Sequence, residues 1–118
     1  MGRISDRKIK EETETFISLW NQFAEIISIV IKDQKITPKT EKEYLLLCGE
    51  LAQRSVTVAH LLDLDKSFVQ KVTDILEDIY NLRILIDWQE FQISLLRERW
   101  NAVLLEINSV FTKIPNTR

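Results

Sequence analysis

One apolar repeat runs along the second half of this 118-residue chain without losing its phase. Its members are spaced alternately four and three residues apart, which is how one helix keeps a single seam turned towards a neighbouring helix. All but Gln89 are apolar: Phe68, Val72, Ile75, Ile79, Leu82, Ile86, Gln89, Ile93, Leu96, Trp100, Val103, Ile107, Val110 and Ile114. Because no Gly or Pro interrupts the repeat, the pattern favours one helix over residues 66–114, on the order of 70 Å long at 1.5 Å per residue.

A break within this segment is the alternative. Residues 87–90 resemble a capping box, and a break near residues 82–87 gives four helices of similar length, as in an up-down four-helix bundle. Against a break, the connection would consist of residues 82–86, which are more apolar than surface loops usually are. The sequence therefore favours a helical hairpin plus one long third helix, and it leaves the four-helix bundle open.

The first sixty residues predict the helical hairpin. A four-and-three apolar repeat from Ile9 to Val30 predicts a helix at about residues 5–33. Thr37 has the character of an N-cap and Pro38 that of a first helical residue, so a second helix is expected at about residues 38–62. The chain has only two Gly and two Pro residues, too few for the turns of a sheet with many hairpins. We expect one all-α domain over residues 1–118.

The composition argues against several classes of partner and location. The net charge of -2 gives no general attraction to nucleic acid or to an anionic membrane surface. The apolar runs are too short to span a bilayer, and the single cysteine, Cys48, cannot form an internal disulfide. We therefore expect a cytoplasmic protein that has no membrane partner.

Residues suited to catalysis or metal binding are sparse. His60, the only histidine, lies about three helical turns from Cys48 if both are on one helix, which is too far for a thiolate–imidazole pair. No Glu-x-x-His, His-Glu-x-x-His or Cys-x-x-Cys spacing occurs, and no glycine-rich phosphate loop is present. The sequence thus predicts no catalytic residues, no metal ligands and no cofactor, and we expect that the protein is not an enzyme.

A second apolar repeat predicts a binding surface. Ile84, Trp88, Phe91 and Leu95 lie on nearly the opposite side of the same segment from the first repeat. In a continuous helix, one side would pack within the chain and the other against a partner, whereas in a broken helix the second side would join the bundle core. Large aromatic side chains dominate such interfaces. We expect a homodimer, or pairing with another helical protein, with Trp88, Phe91, Leu95 and Trp100 at the interface.

Residues 55–78 carry a different signal, that of a helix-turn-helix. Apolar residues occupy the positions at which that motif packs its two helices: Val58, Leu62, Leu64, Val69 and Val72. The segment 64–69 is similar to the turn and the start of the recognition helix of MarR-type regulators, and the resemblance is confined to residues 55–72. It implies that Lys66, Ser67, Gln70 and Lys71 face the major groove of DNA. An ordinary helix–helix turn requires the same apolar spacing, which is the competing interpretation.

Three functions follow from these patterns. The sequence favours a non-enzymatic helical interaction and oligomerisation module. The alternative is a helix-turn-helix regulator that binds DNA through residues of about 55–78. The third is an apolar pocket between helices that holds a lipid-like ligand.

Overall fold

The computed structural model describes residues 5–112, and over that range the chain is all-helical. Four α-helices follow one another, with a short 3-10 helix between the last two. They are α1 (Asp6–Asp33), α2 (Pro38–Leu61), α3 (Lys66–Asp78), the 3-10 helix (Leu82–Asp87) and α4 (Glu90–Phe111). The prediction of an all-α helical bundle is confirmed. Ile114, the last member of the predicted repeat, lies outside the described residues.

Side-chain contacts show that successive helices run in opposite directions. The hydroxyl of Tyr44, early in α2, donates to the backbone carbonyl of Ile79, just after α3. Arg54, late in α2, pairs with Glu12, early in α1, at 3.3 Å. Lys71, early in α3, pairs with Glu106, late in α4, at 2.7 Å. Because residues early in one helix contact residues late in the next, the helices form an up-down bundle. Its extents are 50 × 28 × 23 Å.

Side-chain caps fix where the first three helices begin. At α1, Ser5 accepts a hydrogen bond from the backbone N–H of Lys8 at 3.2 Å. Thr37 accepts a hydrogen bond from the backbone N–H of Thr40 at 3.1 Å, and Pro38 follows it at the first helical position, as the sequence predicted. Asp65 accepts from the backbone N–H of Ser67 at 2.8 Å, and this hydrogen bond lowers the pKa of the Asp65 carboxyl. These local signals are readable without any tertiary information, which is why the starts of α2 and α3 were predictable.

The prediction of one helix over residues 66–114 is wrong, because α3 ends at Asp78 and the chain turns before α4. Asn81 caps the 3-10 helix by accepting from the backbone N–H of Arg83 at 2.9 Å. Leu82 and Leu85, three residues apart as on one side of a 3-10 helix, are both buried, and this segment packs against α1. The connection is apolar because it is part of the core, so the argument that excluded a surface loop did not exclude a break.

The start of α4 also differs from the sequence prediction. Its N-cap is Gln89, whose backbone N–H donates to Oε1 of Gln92 at 2.8 Å. The predicted capping box at residues 87–90 does not form, because Asp87 belongs to the 3-10 helix that precedes this cap.

Aromatic side chains fill the centre of the bundle. Phe16, Trp20 and Phe23 of α1 stack in succession, with ring centroids 5.8 Å and 5.2 Å apart. Tyr44 of α2 stacks on Phe23 at 5.8 Å, and Phe68 of α3 meets Phe16 at 6.0 Å. All five rings are buried. Since three of them lie on α1, that helix supplies most of the aromatic core.

Candidate interaction surfaces

The last helix, α4, is apolar on two opposite sides. Leu96, Val103 and Ile107 are buried on the side that faces the bundle. Positions 91, 95, 98, 102 and 105 follow the same four-and-three spacing on the other side, and all five residues are exposed. This outer stripe consists of Phe91, Leu95, Glu98, Ala102 and Leu105. Within residues 5–112 nothing covers this second side, and an exposed apolar stripe of helical spacing is a candidate surface for binding a further helix.

Three members of the outer stripe are among the most exposed large apolar side chains of the described chain. Phe91 is 70% exposed, Leu95 50% and Leu105 70%. The sequence predicted Phe91 and Leu95 as interface residues, and the structure places both on this surface. It also overturns the expectation that a break would bury them in the core. Leu105 was missed because the second repeat was followed only as far as Leu95, although the same spacing continues through Ala102 to Leu105.

Trp88 and Trp100, the other two predicted interface residues, lie elsewhere. Both are half-buried and pack against the chain's own core. Trp100 stacks on Trp20 with ring centroids 6.2 Å apart and planes inclined by 4°. The indole N–H of Trp20 donates to the carbonyl of Trp100 at 3.2 Å, and that of Trp100 donates to the carbonyl of Trp20 at 3.1 Å. This reciprocal pair joins α4 to α1, so Trp100 serves the fold of the chain itself.

A groove opens between α1 and α4 next to the Trp20–Trp100 pair. Its volume is about 240 Å³, and its walls are mostly apolar: Phe23, Ala24, Ile27, Ile31, Ile93, Leu96 and Trp100. Three polar residues, Ser28, Arg97 and Asn101, complete the lining. We call this feature the α1–α4 groove. It lies on the side of α4 that faces α1, away from the outer stripe.

The four residues of the helix-turn-helix prediction are all on the exposed side of α3. Lys66 and Ser67 are in its first turn, while Gln70 and Lys71 are one turn further. The side-chain amide of Gln70 donates to Asp74 at 2.7 Å, and the ammonium of Lys71 binds Glu106 at 2.7 Å. Carboxylates therefore stand beside two of the four groups that would have to approach DNA phosphates.

The turn between α2 and α3 is about as short as that of a helix-turn-helix. It holds only residues 62–65, and Asp63 adopts a left-handed conformation with φ of 53°. Non-glycine residues seldom adopt that conformation, although Asp is among those that do. The turn is thus compatible with a helix-turn-helix and equally with an ordinary helical hairpin.

The potentially reactive side chains do not converge. Cys48 is half-buried in α2, where burial raises the pKa of its thiol and the nearby Tyr44 hydroxyl partly offsets this rise. His60 is exposed at the end of the same helix. Within residues 5–112, no three His, Cys, Asp or Glu side chains are grouped so that they would hold a metal ion. Nor does that part of the chain contain a helix of the length and apolar character needed to cross a bilayer.

The fold and its surfaces together define a class: an up-down helical bundle in which α4 has an apolar side that no other part of residues 5–112 covers. No protein family, curated protein or solved structure matches this chain. A proposal for its function must therefore come from the outer stripe, the α1–α4 groove and the exposed side of α3.

Proposed function

We propose that this protein is a non-enzymatic interaction module whose α4 pairs with the α4 of a second copy. One observation carries the proposal: the outer stripe follows helical spacing along α4, is apolar except for Glu98 at its centre, and is exposed at Phe91, Leu95 and Leu105. A stripe of this spacing is suited to binding another helix, because side chains spaced alternately four and three residues apart all face the same neighbouring helix.

The order of side chains along the stripe favours a second copy as the partner. In an antiparallel pair centred near Glu98, Phe91 lies opposite Leu105 of the partner subunit, and Leu95 lies opposite Ala102 of the partner subunit. Large side chains then meet at the two ends of the seam, and a large one meets a small one inside it. Every contact occurs twice, as a two-fold interface requires.

The apolar gain predicts a dimer of modest affinity. Complete burial of a Leu or Phe side chain contributes about 1.5–3 kcal/mol. Scaled by the exposure of Phe91, Leu95 and Leu105, the stripe supplies about 4 kcal/mol per copy, or about 8 kcal/mol per dimer. The loss of freedom on association costs about 4–15 kcal/mol. The two are of similar size, so we expect a pair that dissociates on dilution rather than an obligate dimer.

Sedimentation velocity over a range from low micromolar to near-millimolar concentration tests this proposal. We expect the parent to shift from monomer to dimer, and Leu105→Glu to stay monomeric because it places a charge in the seam. The matched control is Leu46→Glu, since Leu46 is 65% exposed but lies on α2. It should dimerise like the parent. A parent that is monomeric throughout, or a Leu105→Glu variant that dimerises as the parent does, would refute the proposal.

DNA binding is the second candidate, supported by the short turn at residues 62–65 and by the exposure of Lys66, Ser67, Gln70 and Lys71. A gel shift against random duplex DNA at low salt separates it from the first. Binding that weakens with salt and is lost in Lys66→Glu would favour it, because phosphate contacts are salt-dependent. An unshifted duplex at high protein concentration would exclude it.

A further inference from the structure

The α1–α4 groove combines an apolar interior with a single cationic group at its edge. Among residues 5–112, Arg97 makes no ion pair, whereas every other arginine in that range pairs with a carboxylate. Arg97 is exposed and lines the groove, and Asn101, one helical turn further along α4, lines it too. Ser28 contributes a hydroxyl from α1 on the other side. A guanidinium is the side chain best suited to bind a carboxylate through two parallel hydrogen bonds.

The volume of the groove sets the size of a ligand. An apolar cavity of about 150 Å³ is enough to hold benzene, so about 240 Å³ accommodates something larger. If each carbon of an alkyl chain takes about the 30 Å³ that a water molecule occupies in the liquid, the groove holds about eight carbons. The walls that would contact such a chain are the side chains of Phe23, Ile27, Ile31, Ile93 and Leu96.

We propose that the α1–α4 groove binds a medium-chain fatty acid, with the alkyl chain between α1 and α4 and the carboxylate on Arg97. The ligand and the groove are complementary in two ways. The carboxylate would pair with the guanidinium of Arg97, and the alkyl chain would contact the apolar walls. This site is separate from the proposed dimer surface, because the groove lining and the outer stripe have no residue in common. Its success or failure is therefore independent of dimerisation.

A titration with octanoate, followed by tryptophan fluorescence, tests the site, since Trp100 lines the groove and its emission should report occupancy. We expect saturable binding to the parent. Arg97→Gln should weaken it by about tenfold or more, because a hydrogen-bonded charge pair is lost. The matched control is Arg7→Gln, which removes an exposed arginine at the start of α1 and should bind octanoate as the parent does. Octanol, which has the chain without the carboxylate, should bind the parent more weakly than octanoate.

A second variant tests the apolar part of the site without touching the charge. Ala24 is half-buried in the groove wall, so Ala24→Leu should fill the groove and abolish octanoate binding while circular dichroism shows an intact helical fold. The proposal is overturned if octanoate does not bind the parent, if Arg97→Gln binds as tightly as Arg7→Gln, or if the folded Ala24→Leu variant still binds. Sedimentation of each variant separates these outcomes from any change in dimerisation.

Discussion

A hydrogen bond from Tyr44 stabilises the backbone at the point where α3 ends and the chain turns. The buried hydroxyl of Tyr44 donates to the backbone carbonyl of Ile79, the residue directly after α3. Ile79 is itself fully buried, so its carbonyl has little access to water. Tyr44→Phe removes the donor while keeping the ring that stacks on Phe23. The substitution therefore isolates the hydrogen bond from the aromatic packing.

The magnitude of this effect follows from leaving a buried acceptor without its donor. Such a loss costs about 1–3 kcal/mol, which for a chain of this length corresponds to a fall in Tm of about 4–12 °C. Urea unfolding followed by circular dichroism, together with a thermal scan, measures both quantities. The matched control is Tyr80→Phe, because Tyr80 lies in the same connection but is 70% exposed. We expect it to change the free energy of unfolding by no more than about 0.5 kcal/mol.

The pH dependence of stability gives this prediction a second readout. Burial raises the pKa of Tyr44 far above its ordinary value, and the neighbouring Cys48 thiol raises it further. A group whose folded pKa is raised contributes stability that is fully present below its unfolded pKa, about 10, and is lost as pH rises above it. Above pH 10, the free energy of unfolding of the parent should therefore fall more steeply than that of Tyr44→Phe, by about 1.4 kcal/mol for each pH unit. If Tyr44→Phe costs no more than Tyr80→Phe, the hydrogen bond to Ile79 does not stabilise the end of α3. If the parent and Tyr44→Phe lose stability in parallel above pH 10, the Tyr44 hydroxyl is not buried as described.

Two further predictions concern α4. Trp100→Phe removes the N–H that binds the carbonyl of Trp20, so it should lower the free energy of unfolding by about 1–3 kcal/mol. Within residues 5–112 the indole N–H of Trp88 has no hydrogen bond, so Trp88→Phe should lower the free energy of unfolding by less. Equal losses for the two variants in urea unfolding would show that the reciprocal hydrogen bonds add nothing beyond packing. Glu98 lies at the middle of the outer stripe, and in a two-fold pair it approaches Glu98 of the partner subunit. Glu98→Gln should therefore tighten the dimer by up to about fivefold in sedimentation equilibrium, since repulsion between exposed like charges is worth up to about 1 kcal/mol; an unchanged Kd would mean that the seam is not centred there.

The sequence was informative where a structural signal is local. Thr37 and Pro38 mark the start of α2, and Asp65 caps α3, because each of these residues satisfies backbone groups within a few positions of itself. The class of fold followed from the apolar spacing and the scarcity of Gly and Pro. Neither inference depended on knowing which helix faces which.

The break after α3 was misjudged because its cause is tertiary. Ile79 and Leu82 keep the helical phase, and both are buried, so the repeat continues even though the helix does not. The phase fails only at the next step, where Leu85 is buried and Ile86 is 39% exposed. The partners that hold this conformation are distant in sequence: Tyr44 binds the carbonyl of Ile79, and Glu41 pairs with Arg83 at 3.3 Å. Periodicity within one segment carries no information about such partners.

Which of the four predicted interface residues are exposed was only half predictable, for a related reason. Spacing alone identified Phe91 and Leu95 as a second apolar side, but it could not decide which of the large aromatic residues the chain would use for itself. Trp100 belongs to the first repeat, and the structure pairs it with Trp20. Large apolar side chains are common both in interfaces and in cores. Only the packing of α1 against α4 therefore shows that Trp100 belongs to the core of its own chain.

The break also explains why α4 carries both proposed sites. Because the chain turns after α3, α4 folds back as a separate helix, with the Trp20–Trp100 pair holding it to α1. Its inner side then forms one wall of the groove at Arg97, and its outer side presents Leu105 to solvent. These surfaces share a helix but no residue, so Arg97→Gln should leave dimerisation unchanged and Leu105→Glu should leave octanoate binding unchanged. If either variant lost both properties, the explanation would be undocking of α4 from α1, and the two surfaces would not be separate sites.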